Sequence, residues 1–404
     1  MTRLAVLSLH TSPLMMAGLG DAGGMNVYIR EMASSLAQIG FEVTIFVRRW
    51  SSNMDTIVDV EPGVRVVHVT AGPVDLRKES LPAVVDEFAG NVGDWLTENP
   101  ADVLHANYWL SGLAGHCLKH DFGLPLVSTF HTLARVKAFA GELESVQRIS
   151  AEEEVMACSD AITVNSSAES QQLVELYGVD PEIVKIVRPG VSRKFFKVGA
   201  RSAARAALGL DEDPVLLFVG RIQPLKGACL AAETLAELDA DYGNTRLLIV
   251  GGASGVNGFK ELQRLKRIIT DHKLEERVEL IPAQPHEHLV TYFQAADACL
   301  MPSRSESFGF VALEAAACGI PVVAANVGGL ASIVRHNFTG YLLSERSSTA
   351  YAEAVRTILG NPLAAAEMGS QAAQLADSYS WAAAADKFKS IVRRLVSRAC
   401  YARD

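Results

Sequence analysis

Short apolar, β-rich runs recur along the whole chain, separated by helical or loop segments. This alternation is typical of a parallel, doubly wound sheet. The runs in the first half, predicted as strands, are Leu4–Leu9, Val43–Val47, Val64–Val69, Val103–His105, Leu126–Phe130, Ala161–Asn165 and Val184–Val187. Those in the second half are Val215–Val219, Arg246–Val250, Val278–Ile281, Ala298–Met301, Pro321–Ala324 and Gly340–Leu343. The pattern therefore predicts an α/β protein with two such sheets.

The two sets of strands are separated by Arg188-Pro189-Gly190, which has the composition of a turn. We therefore expect one Rossmann-like domain at residues 1–190 and a second at 191–380. The last segment, residues 381–404, begins as an amphipathic helix that we expect to pack back onto the first domain. Sheets of this kind bind ligands at the carboxyl ends of their strands, so two facing sheets would form a site in the cleft between them.

Length and charge limit the classes of protein and partner. A chain of 404 residues suits two domains of about 200 residues each. The formal charge of −9 opposes nonspecific attraction to nucleic acid or anionic lipid and favours a small-molecule partner. The six cysteines form no C-x-x-C pair, which indicates reduced thiols. No apolar run reaches about eighteen residues, so we expect a cytoplasmic protein without stable membrane insertion, compatible with a homodimer.

The segment from Pro302 to Ala315 carries the most informative chemistry. Its turn, Ser305-Glu306-Ser307-Phe308-Gly309, follows a predicted buried strand and precedes a helix that begins near Phe310. Free N–H groups at a helix N-terminus favour phosphates and sugar hydroxyls. Glu306 and Glu314 can each accept hydrogen bonds from a pair of hydroxyls. The segment is therefore predicted to bind a nucleotide sugar.

Two other predicted strand ends have loops suited to a phosphate. The first strand leads into a glycine-rich turn, residues 20–26, in which Gly23 and Gly24 allow close approach of backbone N–H groups. The loop Gly220-Arg221-Ile222-Gln223-Pro224-Leu225-Lys226-Gly227 begins the second domain. We expect Arg221 and Lys226 to neutralise a diphosphate there.

Taken in chain order, Gly23-Gly24, His131, Gly220-Arg221 with Lys226, and Glu306 with Glu314 resemble the retaining glycosyltransferases of the GT-B fold. The resemblance covers essentially the whole chain and implies two Rossmann-like domains facing across a cleft. In that family Arg221 and Lys226 would bind the donor diphosphate, and Glu314 the nucleotide ribose. Glu306 would bind hydroxyl groups of the transferred sugar, and His131 would lie at the sugar's opposite side. Further donor contacts would come from Gly23, Gly24, Gly220, Ser307, Phe308, Gly309 and Phe310.

In its first half the chain is most similar to the D-inositol-3-phosphate glycosyltransferases, the N-acetylglucosaminyl transferases of mycothiol synthesis. The similarity lies in residues 20–28, Tyr108-Trp109-Leu110-Ser111-Gly112 and His131-Thr132-Leu133-Ala134. It implies that an acceptor phosphate and polyol are bound by Asn26, Lys78, Tyr108, Thr132 and Arg148. Asn107 stands where that family's pattern leads us to expect a second histidine.

The resemblance implies transfer of N-acetylglucosamine from a uridine diphosphate donor to a phosphorylated polyol such as inositol phosphate, with retained configuration. The nucleotide sugar is then a substrate, and neither cofactor nor metal is expected. Leu76-Arg77-Lys78-Glu79-Ser80-Leu81 also resembles sucrose-phosphate synthase, which leaves a hexose phosphate acceptor open. Mannosyl transfer to phosphatidylinositol and a noncatalytic sugar-nucleotide-binding protein are further alternatives.

Some other polar groups are predicted to lie at the surface without a role. His286-Glu287-His288 has no third metal ligand nearby, which favours a surface pair at a helix start. His116 and His120 are four residues apart but lack the H-E-x-x-H arrangement, so we expect them on a helix surface. Glu152-Glu153-Glu154 and Arg393-Arg394 are predicted to be solvated.

Overall fold

The computed structural model describes residues 1–16, 18, 22–142, 144–255 and 257–401, apart from the side chains of residues 239 and 399–401. It contains two compact units. One comprises Met1–Met15, Met25–Gly190 and Trp381–Asp404, and the other Met16–Gly24 and Val191–Ser380. Residues 16–24 thus belong to the second unit, whereas we expected them in the first domain.

The first unit is built on an eight-stranded sheet with strand order β3-β4-β2-β1-β5-β6-β7-β8. Its strands are β1 (Thr2–Ser8), β2 (Phe41–Arg48), β3 (Ile57–Glu61), β4 (Val64–Val69), β5 (Val103–Asn107), β6 (Leu126–Thr129), β7 (Ala161–Val164) and β8 (Val184–Ile186). All pair in parallel except β3, which pairs antiparallel with β4 at the edge. The sequence analysis missed β3 because its residues, two of them acidic, are only partly covered and lack the buried apolar run of the central strands.

Helices cover this sheet, which is why its central strands are almost wholly apolar. They are α1 (Gly24–Gln38), α2 (Val85–Glu98), α3 (Trp109–Phe122), α4 (Ala134–Phe139), α5 (Val146–Cys158) and α6 (Ser167–Tyr177), with a 3-10 helix at Lys78–Val84. The core contains apolar side chains of the strands and of helices α2, α3 and α5.

The second unit has a six-stranded parallel sheet with strand order β11-β10-β9-β12-β13-β14. Its strands are β9 (Val215–Val219), β10 (Arg246–Val250), β11 (Val278–Ile281), β12 (Ala298–Met301), β13 (Val322–Ala325) and β14 (Gly340–Leu343). Within the unit this is the Rossmann order 3-2-1-4-5-6, whose direction reverses between β9 and β12. The doubly wound architecture predicted from the sequence is confirmed.

The helices of the second unit follow its strands. They are α7 (Arg201–Leu208), α8 (Ala228–Ala236), α9 (Asp239–Tyr242), α10 (Gly258–Asp271), α11 (Leu289–Ala295), α12 (Phe310–Ala317), α13 (Leu330–Ile333), α14 (Ser348–Gly360) and α15 (Pro362–Ala376), with a 3-10 helix at His286–His288. Buried apolar side chains fill both faces of the sheet.

The last helix, α16 (Trp381–Tyr401), belongs to the first unit. The Trp381 ring lies 5.8 Å from that of Tyr28, and the Phe388 ring 4.8 Å from that of His105. Lys389 Nζ donates to the carbonyl of Ile39 at 2.9 Å. The chain therefore returns to its first sheet after completing the second.

Two further observations concern the earlier expectations about membrane insertion and disulfides. Among the helices that the structure describes, none has the length and apolar character to cross a bilayer. The five cysteines with described side chains, Cys117, Cys158, Cys229, Cys299 and Cys318, form no disulfide with one another. The side chain of Cys400 lies outside the described residues, as do Gly20 and Asp21 of the predicted glycine-rich turn.

Candidate active site

The loops that follow β9 and β12 lie beside the point where the strand order of the second unit reverses. Open α/β sheets bind ligands at the carboxyl ends of the strands at such a point. The two loops are joined by a backbone hydrogen bond of 2.8 Å from Arg304 N to Leu225 O. Residues that are about 80 positions apart in the sequence are thereby held together.

An ion pair links these loops. Lys226 Nζ lies 2.6 Å from Glu306 Oε2, with side chains 23% and 15% exposed. An ammonium group has three donors, so Lys226 can hold Glu306 and still donate to a phosphate oxygen. The residue predicted to bind the diphosphate, Lys226, is therefore a direct neighbour of the residue predicted to bind the sugar, Glu306.

Arg221 lies beside the segment of residues 16–24. A Cβ added to Gly23 would be 3.8 Å from Arg221 Nε, so the guanidinium lies against the glycine backbone. Its guanidinium forms neither a hydrogen bond nor an ion pair with any side chain that the structure describes. Among the described side chains Arg221 therefore has no carboxylate partner, and its cation lies next to Gly23.

The turn around Glu306 is held by the backbone of residues 328–329. Gly329 N donates to Glu306 O at 2.9 Å. A Cβ on Gly328 would lie only 1.8 Å from that same oxygen, so no other residue fits there without moving the turn. The sequence analysis did not single out Gly328, although the pair Gly328-Gly329 after β13 was a visible signal.

The aromatic residues of this turn pack together. Phe308 is buried, and its ring lies 5.1 Å from that of Phe310. A Cβ on Gly24 would approach the Phe310 ring to 3.0 Å. Gly24 and Phe310, both predicted to bind the donor, thus lie side by side. Gly309 supplies the left-handed residue, with φ of 104°, that starts α12.

Glu314 is buried one turn inside α12 and is bound by a histidine. His286 Nε2 lies 2.7 Å from Glu314 Oε1, and the His286 ring packs 4.9 Å from that of Phe196. The prediction that His286 belongs to a surface pair is wrong. Its side chain is only 22% exposed and contacts Glu314, the residue predicted to bind the ribose. Sequence spacing gave no hint of this pairing, which joins residues 28 positions apart.

Two residues of the first unit have left-handed backbone conformations at neighbouring strand ends. Tyr108 follows β5 with φ of 76°, and His131 follows β6 with φ of 61°. Non-glycine residues in this region each cost roughly 1–3 kcal/mol and are common at functional sites. Tyr108 N donates to Thr129 O at 2.8 Å, which fixes the two turns relative to each other.

Three other predicted acceptor residues lie near Tyr108, and we call Lys78, Tyr108, Thr132 and Arg148 the Tyr108 cluster. The Arg148 guanidinium carbon lies 5.1 Å from the ring centroid and Lys78 Nζ 5.8 Å. Arg148 Nη2 donates to Thr132 Oγ1 at 3.1 Å. Two cations therefore lie against one ring, and a hydroxyl contacts one of them. Asn26 instead donates to Thr11 Oγ1 at 2.8 Å and to Ser12 O at 2.5 Å, in the loop after β1.

Two nearby carboxylates bind the Arg148 side chain. Its Nε donates to Glu152 Oε1 at 2.9 Å and its Nη1 to Glu144 Oε1 at 2.8 Å. Glu152 is fully buried and also accepts from Ala134 N and from the Tyr177 hydroxyl. The predicted solvated face is therefore wrong for Glu152, since one member of the acidic run turns inward to pair with Arg148.

His131 is uncharged at neutral pH. Burial, with the neighbouring His105, lowers the pKa of His131 to about 3. Its Nε2 lies 2.9 Å from Asn107 Oδ1, and the Tyr28 ring packs edge-on at 4.9 Å. Asn107 thus holds the imidazole from the position where a second histidine was expected.

Family comparisons agree with this arrangement. Residues 22–195 match the model for Glycosyltransferase Family 4, and residues 200–375 match that for Glycosyl transferases group 1. The D-inositol 3-phosphate glycosyltransferase of Nocardia farcinica is 43% identical over 395 residues, 95% of this chain and 87% of its relative. The enzyme of that name from Kineococcus radiotolerans is 40% identical over 416 residues, 98% of this chain and 95% of its relative. The chain is a group 1 glycosyltransferase.

Solved structures agree on the fold of this glycosyltransferase. Sucrose-phosphate synthase from Thermosynechococcus elongatus superposes with a TM-score of 0.92 at 29% identity, covering 98% of this chain and 100% of that one. WaaG, a glycosyltransferase of lipopolysaccharide biosynthesis, gives a TM-score of 0.74 at 19% identity over 96% and 99% of the two chains. The two Rossmann-like sheets are therefore those of the GT-B glycosyltransferases, as predicted.

Four contact residues of the glycosyltransferase escaped prediction, and each acts through a predicted one. Glu144 and Glu152 hold Arg148, Asn107 holds His131, and His286 holds Glu314. Glu144 and Glu152 stand four residues before and after Arg148, a spacing that could have indicated these pairs, and the asparagine at position 107 was a visible departure from the family pattern. His286 gave no such signal.

Proposed function

We propose that this glycosyltransferase moves N-acetylglucosamine from uridine diphosphate N-acetylglucosamine to an inositol phosphate, with retention of anomeric configuration. The observation that carries the proposal is the Tyr108 cluster. Lys78 and Arg148 lie 5.8 and 5.1 Å from the same ring, and Thr132 adds a hydroxyl. Lys78 and the Thr132 hydroxyl, beside an Arg148 that is held by Glu144 and Glu152, are donors suited to a phosphate monoester. Relatives at 40–43% identity carry the name D-inositol 3-phosphate glycosyltransferase, which supports the same acceptor.

The donor half of the proposal rests on the second unit. Arg221 and Lys226 bind the diphosphate, because Arg221 has no carboxylate partner among the described side chains and Lys226 keeps donors beyond its pair with Glu306. Glu306 accepts from hydroxyls of the sugar. Glu314 accepts from the ribose with the carboxylate oxygen that His286 does not hold.

The proposed reaction is a front-side displacement. The acceptor hydroxyl oxygen forms a bond to the anomeric carbon as the bond from that carbon to the diphosphate oxygen breaks. A phosphate oxygen of the leaving diphosphate takes the hydroxyl proton, so no carboxylate nucleophile is needed. Arg221 and Lys226 stabilise the charge that grows on the diphosphate. The neutral imidazole of His131 adds no positive charge near the sugar.

A product assay tests the proposal directly. Pure protein is incubated with uridine diphosphate N-acetylglucosamine and either inositol 3-phosphate, inositol or fructose 6-phosphate, and products are identified by mass and by the anomeric proton coupling. We expect an N-acetylglucosaminyl inositol phosphate with the donor's configuration. Inversion would refute the front-side step, and failure of inositol 3-phosphate as an acceptor would refute the proposed function.

A second candidate is transfer to a hexose phosphate. The superposition on sucrose-phosphate synthase, with a TM-score of 0.92 at 29% identity, favours it specifically. The Tyr108 cluster would suit the phosphate of either acceptor, since both carry a monoester. In the same assay this candidate requires fructose 6-phosphate to be glycosylated in preference to inositol 3-phosphate.

A further inference from the structure

Three side chains of metal-binding types, two histidines and a cysteine, meet on the surface of the first unit. His116 and His120 occupy successive turns of α3, and Cys158 ends α5. One ligand atom from each lies within 4.8 Å of the others. The sequence predicted only a helix-surface histidine pair, because the third side chain comes from a segment 38 residues further along. The packing of α3 against α5 brings in Cys158, the third ligand that the spacing of the two histidines did not provide.

The distances suit a tetrahedral ion. Zinc binds imidazole nitrogen at about 2.0–2.1 Å and thiolate sulfur at about 2.3 Å, so two such ligands at the tetrahedral angle are about 3.6 Å apart. Cys158 Sγ lies 3.6 Å from His120 Nε2. The two imidazole rings have their centroids 4.9 Å apart. Small rotamer changes would therefore bring all three ligands around one ion.

The neighbouring carboxylate strengthens the case. Glu154, one turn before Cys158 on α5, lies 3.0 Å from His116 Nδ1, within ion-pair distance but not aligned for a hydrogen bond. Histidine ligands of metals usually have a carboxylate or carbonyl that orients the ring. A sulfur ligand with two imidazoles selects zinc over magnesium or calcium, which prefer oxygen.

We propose that His116, His120 and Cys158 bind a zinc ion, with Glu154 orienting His116 and a water molecule as fourth ligand. Helix α5 carries Arg148 in its first turn and Cys158 at its end, ten residues or about 15 Å further along. Helix α3 begins directly after Tyr108. The metal therefore joins α5, whose first turn carries Arg148, to α3, which begins directly after Tyr108.

Other charged groups lie next to the proposed site but are not ligands of the ion. Lys119 Nζ donates to the Cys158 carbonyl and to Asp160 Oδ2, both at 2.7 Å. This pair fixes the end of α5 beside α3. Binding of the ion replaces the thiol proton of Cys158, so affinity rises with pH.

The test is a cobalt and zinc titration of the reduced, untagged full chain after treatment with a chelator. We expect one cobalt ion per chain with the near-ultraviolet charge-transfer absorption of a cobalt–thiolate bond, and its displacement by zinc. Cys158→Ser should abolish that absorption. His120→Ala should weaken cobalt binding at least tenfold, and Glu154→Gln roughly 10- to 100-fold. His120 is exposed, so its variant is expected to fold normally.

Cys117→Ser is the matched control, because this thiol lies on α3 directly after His116 but is not a member of the cluster. It should bind cobalt as the unchanged chain does. The proposal is overturned if the unchanged chain develops no thiolate absorption with excess cobalt. It is also overturned if Cys158→Ser keeps the absorption or Cys117→Ser loses it.

Discussion

The two units hold their candidate ligand-binding residues in different ways. In the second unit the functional side chains stand in turns shaped by glycine, such as that of Glu306, against which the Gly328 backbone packs. In the first unit the Tyr108 cluster depends on side chains that come from distant segments and on the fully buried carboxylate of Glu152. Backbone geometry positions one site, and a buried charge network positions the other.

This difference predicts different responses to mutation. Side chains on a rigid turn can be changed with loss of a ligand contact alone. In a buried charge network, removal of one member leaves another charge without its partner, and the fold itself is weakened. Substitutions in the second unit should therefore affect catalysis more than stability, and Arg148 should affect both.

The largest effect is expected for Arg148→Ala. Glu152, which is 0% exposed, would lose its main cationic partner, and breaking a buried pair costs about 3–5 kcal/mol. The measurement is the free energy of unfolding of the first unit in a urea titration. Arg65→Ala is the control, because its pairs with Glu42 and Asp59 are exposed and each is worth under about 1 kcal/mol. Equal losses in the two variants would contradict the proposed difference between buried and exposed pairs.

The second largest effect is expected for Arg221 and Lys226, the two cations predicted to bind the nucleotide-sugar donor. Arg221→Ala and Lys226→Ala should each lower turnover by roughly ten- to a hundredfold, because each removes a charge-assisted contact of about 1.5–3 kcal/mol. Turnover should fall more than donor affinity, since the diphosphate charge is greatest as it leaves. Stability should change little, as Lys226 is partly exposed. Unchanged turnover in the double variant would refute the assignment.

The fold, and the loops that come together in the second unit, were largely predictable from sequence for a physical reason. Buried parallel strands are continuous apolar runs, and a loop that must approach a ligand closely needs glycine at fixed positions, as in Gly220-Arg221. The contacts of Asn107 with His131 and of His286 with Glu314 were not predictable, because the partners come from different segments of the chain. Glu152 lies one turn after Arg148 on α5, but spacing alone does not indicate that this carboxylate is buried.

The segment of residues 16–24 illustrates the same limit. Its glycines predicted a turn after the first strand of the first domain, yet the segment belongs to the second unit, where Gly24 packs on Phe310. A local pattern indicates a turn but does not say which sheet the turn will contact. That choice depends on contacts between positions nearly 290 residues apart.

A smaller effect, about tenfold, is expected when Lys78 is replaced by alanine. Lys78 contacts the edge of the cluster rather than its buried centre, with its ammonium 5.8 Å from the Tyr108 centroid. The Michaelis constant for inositol 3-phosphate should rise while affinity for the nucleotide stays near that of the unchanged chain. Inositol itself should be a poor acceptor and lose little more in the variant, because Lys78 and the phosphate act on each other. Fully additive losses would mean that the two do not touch.

The smallest expected effect concerns His131 and the dependence of stability on pH. The folded pKa of His131 is about 3, whereas an unfolded histidine titrates near 6.5. Below pH 6.5 the unfolded chain therefore binds a proton that the folded chain does not, so the free energy of unfolding falls as the pH falls. Between pH 6.5 and 5.5 this one site accounts for about 1 kcal/mol. His131→Gln should remove that part of the slope and lower turnover.

The comparison is made between the variant and the unchanged chain, because other groups titrate over the same range. Burial raises the pKa of Glu169 to about 7, so its carboxyl contributes with the opposite sign between pH 4.5 and 7. That contribution is present in both proteins and cancels in the difference. Identical slopes would mean that His131 titrates normally in the fold. The imidazole would then be protonated over part of the working range, and turnover of the unchanged chain would show an inflection near pH 6.5 that His131→Gln abolishes.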